Sequence, residues 1–207
     1  MKHPWQEISL SDYENHMKLD SVQQLQTMNA MMAKQLAYPG IRSAMILGIA
    51  GGNGLEHADP QKLKKIYGVD INPDYLQVCR QRFPALVGVL DCICTDLAAK
   101  PTQLPHADLV IANLLVEYIG YPCFQRVIQA VQPLCVSCGI QINTDDGFVS
   151  DSPYLHVFDR LEEVHHQMEA ESMTAAMAGI GYCLTHRHTY PLPNGKQLVQ
   201  LDYRKSR

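Results

Sequence analysis

Short apolar runs alternate with segments of helical periodicity through the middle of the chain. Strand-like runs fall at residues 44–49, 66–69, 89–95, 109–112 and 136–143. Helical patterns separate them, at residues 54–64, 73–83 and 120–132. Strands that are apolar throughout and separated by helices predict a parallel sheet covered by helices on both faces. Right-handed crossovers then predict a doubly wound strand order.

The two ends of the chain have different patterns. Apolar residues recur at a helical period within residues 9–37, which predicts one or two amphipathic helices, and residues 157–180 are also helical in pattern. Two final strand-like runs joined through residues 193–195, Pro-Asn-Gly, predict an antiparallel hairpin. We therefore expect a seven-stranded, mostly parallel α/β sheet with an antiparallel C-terminal hairpin. Residues 1–40 would form a helical cap and residues 41–207 the main domain.

Composition narrows the class of protein. A chain of 207 residues with 46% hydrophobic and 18% charged residues is typical of one soluble globular domain. The net charge of −4 disfavours a nucleic-acid surface. No apolar run is long enough to span a bilayer, and the first ten residues lack the apolar core of a signal peptide. We therefore expect a cytoplasmic protein that binds neither nucleic acid nor membranes.

Seven cysteines lie mostly in apolar surroundings, which favours reduced thiols in a cytosolic protein. Cys135 and Cys138 have the spacing of a redox or zinc motif. The same run is an apolar strand, however, on which residues three apart face opposite sides. Because the chain has no second pair of this kind, we predict no metal site.

A glycine-rich loop follows the first predicted strand. Its glycines are Gly48, Gly51, Gly52 and Gly54. Glycine leaves room for a ligand beside the backbone, and ligands of doubly wound sheets bind where strands end. A helix beginning near Gly54 would also direct free N–H groups into that space. The dinucleotide pattern Gly-x-Gly-x-x-Gly fails from Gly48, since Ala50 and Asn53 stand where glycines are needed, which disfavours a nucleotide-dependent oxidoreductase.

With Ala50 in the first glycine position, the loop resembles the nucleotide-binding loop of class I S-adenosylmethionine-dependent methyltransferases. Gly48 stands where that family usually has an acid. Asp70 closes the second strand, 16 residues after Gly54, where the resemblance implies a carboxylate that accepts both ribose hydroxyls. Asp96 closes the third strand, where the resemblance implies an acceptor for the adenine amine.

The fourth strand completes the resemblance, because Asp108 precedes an apolar run and Asn113 and Leu114 follow it. Asp91 remains a weaker alternative to Asp96, since it lies inside the third strand. Four motifs in the family's order imply a Rossmann-like fold and S-adenosyl-L-methionine as the cofactor. The residues implied to bind the cofactor are Gly48, Ile49, Ala50, Gly52, Gly54, Asp70, Ile71, Asp96, Leu97, Asn113 and Leu114.

The methyl acceptor is left open by these motifs. Methyl transfer is an in-line displacement that needs mainly proximity and alignment, and in some enzymes a base. The candidate catalytic residues are Glu117 and Tyr118 after the fourth strand, and His16 in the N-terminal helix. Tyr13 shares a helix face with His16, as a lid or as a surface pair. The pattern favours a small-molecule acceptor, with nitrogen or oxygen ahead of carbon or sulfur, and a monomer or homodimer.

Other segments bear on the substrate. Residues 117–121 resemble the Glu-aromatic-apolar-Gly-Tyr run of protein arginine methyltransferases, but the second glutamate and the room for a β-barrel are missing, which disfavours arginine. The Asn-Pro-Pro-Tyr motif of nucleic-acid amine methyltransferases is absent after Asn113. His165 and His166 are adjacent in a predicted helix and diverge by about 100°, so we expect core or surface roles for them.

A loop after the fifth strand carries acidic and aromatic residues, which suit a cationic or amine substrate or simply a solvated turn. These residues are Asn143, Asp145, Asp146, Tyr154 and His156. Because Gly48 replaces an acid and no clear base is present, a non-catalytic S-adenosylmethionine-binding module or sensor is the alternative to an enzyme.

Overall fold

One seven-stranded sheet organises the chain in a computed structural model that describes residues 2–99, 103–143 and 147–206. The strands are β1 Ser43–Leu47, β2 Lys65–Asp70, β3 Leu90–Cys94, β4 Leu109–Asn113, β5 Cys135–Ile142, β6 Tyr182–Pro191 and β7 Gln197–Lys205. Their order across the sheet is β3-β2-β1-β4-β5-β7-β6. The first five strands are parallel, and β7 runs antiparallel to both its neighbours. The predicted doubly wound α/β class and the C-terminal hairpin are confirmed.

Helices cover both faces of this sheet. They are α1 Leu10–Met17, α2 Gln24–Leu36, α3 Pro73–Arg82, α4 Val116–Val131 and α5 Ala170–Ala178. On one face, Met45 and Leu47 of β1 belong to a core that includes side chains of α4 and α5. On the other face, Ala44 and Ile46 pack with side chains of α2 and α3. Strands of this kind are apolar throughout because both of their faces are buried.

Two predicted helices are shorter than their patterns indicated. Within residues 54–64 the chain forms only the 3-10 turn Leu55–His57 and then further turns. Pro60 disfavours helix at the residue before it, and the Asp59 carboxylate accepts the N–H of Gln61 at 2.9 Å in a local turn. The prediction of a helix that starts near Gly54 and directs its N–H groups at a ligand is therefore wrong.

The segment 157–180 also divides. A 3-10 helix spans Leu155–Glu163, residues 164–169 are not helical, and α5 follows. The predicted helix 120–132 is confirmed but starts earlier, at Val116, with a break at Gly120, whose φ of 70° and ψ of 163° are not helical.

Both ends of the cysteine motif lie in the sheet, as predicted. Cys135 belongs to the core on one face and Cys138 to the core on the other. All seven cysteines are free thiols. Every helix in the described part of the chain is too short or too polar to cross a lipid bilayer.

Candidate functional site

A cavity, here the first cavity, lies where β1, β2 and β4 end. It encloses about 750 Å³, including space open to solvent. Strand order reverses between β1 and β4, where ligands of doubly wound sheets bind. Most of the residues implied to bind the cofactor line it. These are Gly48, Ala50, Asp70, Ile71, Asp96, Leu97, Asn113 and Leu114.

Asp70 is held by two backbone groups at the edge of the first cavity. Its Oδ2 accepts the N–H of Ala50 at 2.9 Å, and its Oδ1 accepts the N–H of Asn72 at 2.9 Å. Burial raises the pKa of Asp70, while these N–H groups act to lower it. Each carboxylate oxygen has a second lone pair. Asp70 can therefore still accept hydrogen bonds from a ligand.

Two non-glycine residues at this cavity have left-handed backbone conformations. Ala50 follows β1 with a φ of 48°, and Leu114 follows β4 with a φ of 52°. Such conformations cost on the order of 1–3 kcal/mol and cluster at ligand sites. The N–H of Leu114 donates to the carbonyl of Gly139 at 2.7 Å, as that of Ala50 donates to Asp70. Ala50 thus takes a conformation that favours glycine, in keeping with its place in the loop motif.

Gly52 and Gly54 make room for the protein's own side chains. A Cβ at Gly52 would lie 2.6 Å from the ring of Phe83, and one at Gly54 would overlap the Cβ of Met32 in α2. Neither glycine is among the residues that line the first cavity. The expectation that their missing side chains leave space for a cofactor is corrected, because α2 and the end of α3 fill that space.

Ile49 also differs from the other residues of the loop. Its side chain is buried, and a Cβ at Gly68 would lie 2.6 Å from its Cδ1. Ile49 borders a third cavity, which it shares with Gly48 and Asn113. This third cavity extends the first one towards α2.

The two acids of the third strand take different positions. Asp96 follows β3, lines the first cavity and accepts the N–H of Ala98 at 2.8 Å through its Oδ1. Asp91 lies on the surface and pairs with Lys65. Asp96, and not its alternative Asp91, is therefore the acid at the cavity.

Asn113 at the end of β4 is fixed by α2. Its Nδ2 donates to Oε1 of Gln35 at 2.8 Å, and its Oδ1 accepts from Nε2 of Gln35 at 3.0 Å. Gln35 also donates to the hydroxyl of Ser137 at 2.8 Å. Nothing in the sequence pattern marked Gln35, because an amide on a buried helix face is recognised only from its partners.

The N-terminal segment, residues 2–17, covers the first cavity. Tyr13 stacks on Tyr75 with 6.4 Å between ring centroids, and Trp5 lies edge-on to Tyr13 at 5.6 Å. The backbone carbonyl of Trp5 accepts Nδ2 of Asn72 at 2.9 Å, and the Tyr75 hydroxyl donates to the carbonyl of Ile8 at 2.9 Å. Sequence reasoning missed Trp5 and Tyr75, although Trp5 is the chain's single tryptophan.

A second cavity adjoins the first beneath the N-terminal segment. Trp5, Tyr13, Leu114 and Tyr118 line both cavities. The other residues around the second include Met17, His16, Glu117, Gln141, Phe148, Phe158 and His165. The structure thus brings the three candidate catalytic residues, Glu117, Tyr118 and His16, to one cavity. Tyr13 and His16 share a face as predicted, and that face points inward.

Glu117 is buried in this wall, with 3% of its surface exposed. Its Oε1 accepts the N–H of Gln141 at 2.8 Å, and its Oε2 has no hydrogen-bond partner among the described residues. Burial raises the pKa of Glu117 to about 7, although the Gln141 N–H lowers it. A buried carboxyl with a pKa near neutrality, beside a cavity, is a candidate functional group.

Two imidazoles also face the second cavity. Nδ1 of His16 lies 2.8 Å from the Ser152 hydroxyl, and burial lowers the pKa of His16. His165 stacks on Phe148 with centroids 4.0 Å apart, and burial lowers its pKa to about 4. The expected core or surface role of His165 is wrong, because residues 164–169 are not helical and its ring lines the cavity.

The loop after β5 contributes other residues than those predicted. Asp145 and Asp146 lie outside the described residues. His156 is exposed beside Asp159. The second cavity instead receives Phe148 and Val149 from this loop. Within the described ranges, no group of three or more His, Cys, Asp or Glu residues is arranged to hold a metal ion.

Comparison with known sequences identifies one domain. Residues 46–139 match the family model described as a methyltransferase domain. A search of curated proteins finds no match.

Comparison with solved structures shows the fold. The N-methyltransferase NodS from Bradyrhizobium japonicum WM9, in complex with S-adenosyl-L-homocysteine, has a TM-score of 0.66 and 13% identity over 96% of this chain and 98% of that chain. Magnesium protoporphyrin IX methyltransferase from Synechocystis PCC 6803 has a TM-score of 0.62 and 14% identity, over 89% and 83% of the chains. The [4+2]-cyclase SpnF has a TM-score of 0.67 and 11% identity, over 91% and 83%.

At these identities the solved structures establish a shared fold and not a shared substrate. The sequence match adds the domain type, and its residues 46–139 contain the end of β1, all of β2 to β4 and the loops that follow these strands. The chain therefore carries a match to a methyltransferase domain over residues 46–139, and its fold resembles that of the N-methyltransferase NodS and of magnesium protoporphyrin IX methyltransferase.

Proposed function

We propose that the chain methylates a nitrogen or oxygen of a small molecule held in the second cavity. The observation that carries this proposal is the adjacency of the two cavities, which share Tyr13, Leu114 and Tyr118 as walls. Alignment of two reactants across such a boundary is what an in-line transfer needs. When bound, S-adenosylmethionine would supply an electrophilic methyl group for transfer to the lone pair of the acceptor.

The first cavity suits the adenosine of this cofactor. Asp70 presents acceptor-only oxygens to the ribose diol, and Asp96 presents an acceptor to the adenine amine. Asn113 and the third cavity would receive the methionine portion. The remaining contacts are proposed for Gly48, Ile49, Ala50, Ile71, Leu97 and Leu114. Gly52 and Gly54 support the site indirectly, because their missing side chains let the loop pack against Phe83 and Met32.

We also propose that residues 1–40 act as a cap on a domain formed by residues 41–207. Trp5 and Tyr13 reach both cavities from this part of the chain. The position of the second cavity beneath the cap favours a small acceptor over a macromolecule.

Calorimetric titration with S-adenosylhomocysteine tests the cofactor site, and product formation with amines, alcohols and thiols tests the transfer. Binding together with turnover of an amine or alcohol supports the proposal. Absence of binding would refute it. Binding without turnover of any acceptor would favour the non-catalytic module.

A further inference from the structure

Glu117, in the wall of the second cavity, has a polar atom whose hydrogen-bonding capacity the described residues leave unused. Among the buried side-chain nitrogen and oxygen atoms of the described residues, Oε2 of Glu117 is the one without a partner. The other carboxylate oxygen, Oε1, accepts a hydrogen bond from the N–H of Gln141 at 2.8 Å. The carboxyl group cannot turn away without losing that bond. A hydrogen-bond donor on a ligand would satisfy Oε2, since unpaired buried acceptors are unfavourable.

Several aromatic residues line the same cavity as Glu117. They are Trp5, Tyr13, Tyr118, Phe148 and Phe158. Trp5 lies edge-on to Tyr118 with centroids 4.9 Å apart, so the rings form a continuous wall. Ring faces attract cations, most strongly where water is excluded. The wall therefore combines one acidic group with several surfaces that favour positive charge.

In the described part of the chain, no lysine or arginine side chain lines the second cavity. The two imidazoles there are His16 and His165, and burial lowers the pKa of both below the ordinary value. Burial thus favours the neutral form of both imidazoles, and a cationic ligand would supply the positive charge that stabilises the ionised form of Glu117.

Resting on the methyltransferase function proposed above, we infer that the acceptor is a small protonated amine whose N–H group is received by Oε2 of Glu117. The ammonium nitrogen has no free lone pair until it loses a proton. The Glu117 carboxylate takes that proton, which leaves a neutral amine and a neutral carboxyl group, so charge is conserved. An alcohol could also donate to Oε2, but it brings no charge to the aromatic rings.

Matched ligands test this inference on protein loaded with S-adenosylhomocysteine. Calorimetric titrations compare benzylamine with benzyl alcohol, and phenethylamine with phenylethanol. We expect the amines to bind at least tenfold more tightly than the alcohols. Glu117→Gln keeps the shape of the side chain and an acceptor for Gln141, so it should abolish this preference while S-adenosylhomocysteine binding stays within twofold. Glu162→Gln, at an exposed position, is the matched control and should leave the preference unchanged.

A second variant acts independently of the carboxyl group. Phe148→Leu keeps an apolar side chain but removes a ring face, and should reduce the preference for amines at least threefold. It also carries the test if Glu117→Gln does not fold.

Three results would overturn the inference while the proposed function stands. They are equal or tighter binding of alcohols, an unchanged preference in both variants, and binding of neither ligand class to the loaded protein. Failure of the wild type to bind S-adenosylhomocysteine would instead remove the function itself.

Discussion

The backbone N–H of Ala50 donates to Oδ2 of Asp70 at 2.9 Å, and this bond joins the loop after β1 to the end of β2. The same carboxylate accepts the N–H of Asn72, so its direction is set from both sides. Ala50 keeps its φ of 48° within this arrangement. Asp70 therefore stabilises the shape of the loop and presents its remaining lone pairs to the first cavity.

Removing this carboxylate should weaken cofactor binding. Asp70→Ala is expected to reduce the affinity for S-adenosylhomocysteine by about 1.5–3 kcal/mol, because a charge-assisted acceptor is lost. Isothermal calorimetry measures the change. Asp91→Ala, which removes an exposed acid paired with Lys65 on the neighbouring strand, should leave the affinity unaltered. An Asp70→Ala affinity within twofold of the wild type would contradict the ribose assignment.

Asp96 should make the first cavity prefer adenine over hypoxanthine. As an acceptor for the adenine amine, it should make the protein bind S-adenosylhomocysteine at least tenfold more tightly than S-inosylhomocysteine, which offers an oxygen there. Asp96→Asn should reduce this ratio, since an amide can donate to that oxygen. Competition between the two ligands measures it, and Asp91→Asn serves as the control. An unchanged affinity ratio in Asp96→Asn would show that another group distinguishes the two bases.

Gly54 should be far less tolerant of substitution than Gly88. Both have left-handed φ, 89° and 84°, but a Cβ at Gly54 would overlap the Cβ of Met32, while none of the described atoms lies within 4 Å of a Cβ at Gly88. Gly88→Ala should cost about 1 kcal/mol of unfolding free energy from backbone strain. Gly54→Ala should cost roughly 1–3 kcal/mol more because of overpacking. Urea denaturation gives both values, and equal losses would argue against the packing of the loop on α2.

Glu117 should make stability fall as pH rises. Burial raises its pKa from 4.5 to about 7, so between these values the folded state holds a proton that the unfolded state has released. The unfolding free energy of the wild type relative to Glu117→Gln should therefore decrease by on the order of 3 kcal/mol between pH 4 and pH 8. Denaturation curves of both proteins across this range measure the difference, in which shared titrations cancel. A difference independent of pH would show that Glu117 titrates normally.

The parallel strands could be predicted because each contains a short apolar run, and three of them end at or near a polar residue. Asp70, Asp96 and Asn113 come to one cavity for that reason, since parallel strands end at the same edge. The prediction of a helix after Gly54 was wrong, and Pro60 in the same segment disfavours a helix. The apolar residues there have helical spacing, but proline disfavours a helical backbone at the residue before it.

Other features depend on contacts that no local pattern records. A glycine with positive φ has the same sequence signature whether a ligand or a neighbouring helix occupies the space, and at Gly52 and Gly54 it is the protein. Trp5 reaches both cavities from a position before the first α-helix. The bond between Gln141 and Glu117 crosses 24 residues and involves a backbone group. Such partners are found only once the fold is known.

Tyr13 borders all three cavities, so α1, which carries it, lies beside each of them. A bidentate ion pair of Glu14 with Arg82 joins this helix to α3. Asn72 and Tyr75 donate hydrogen bonds to backbone carbonyls of the residues before it. If the proposed function holds, we expect release of the spent cofactor, and with it the rate of repeated turnover, to depend on how quickly residues 2–17 detach from these contacts and return.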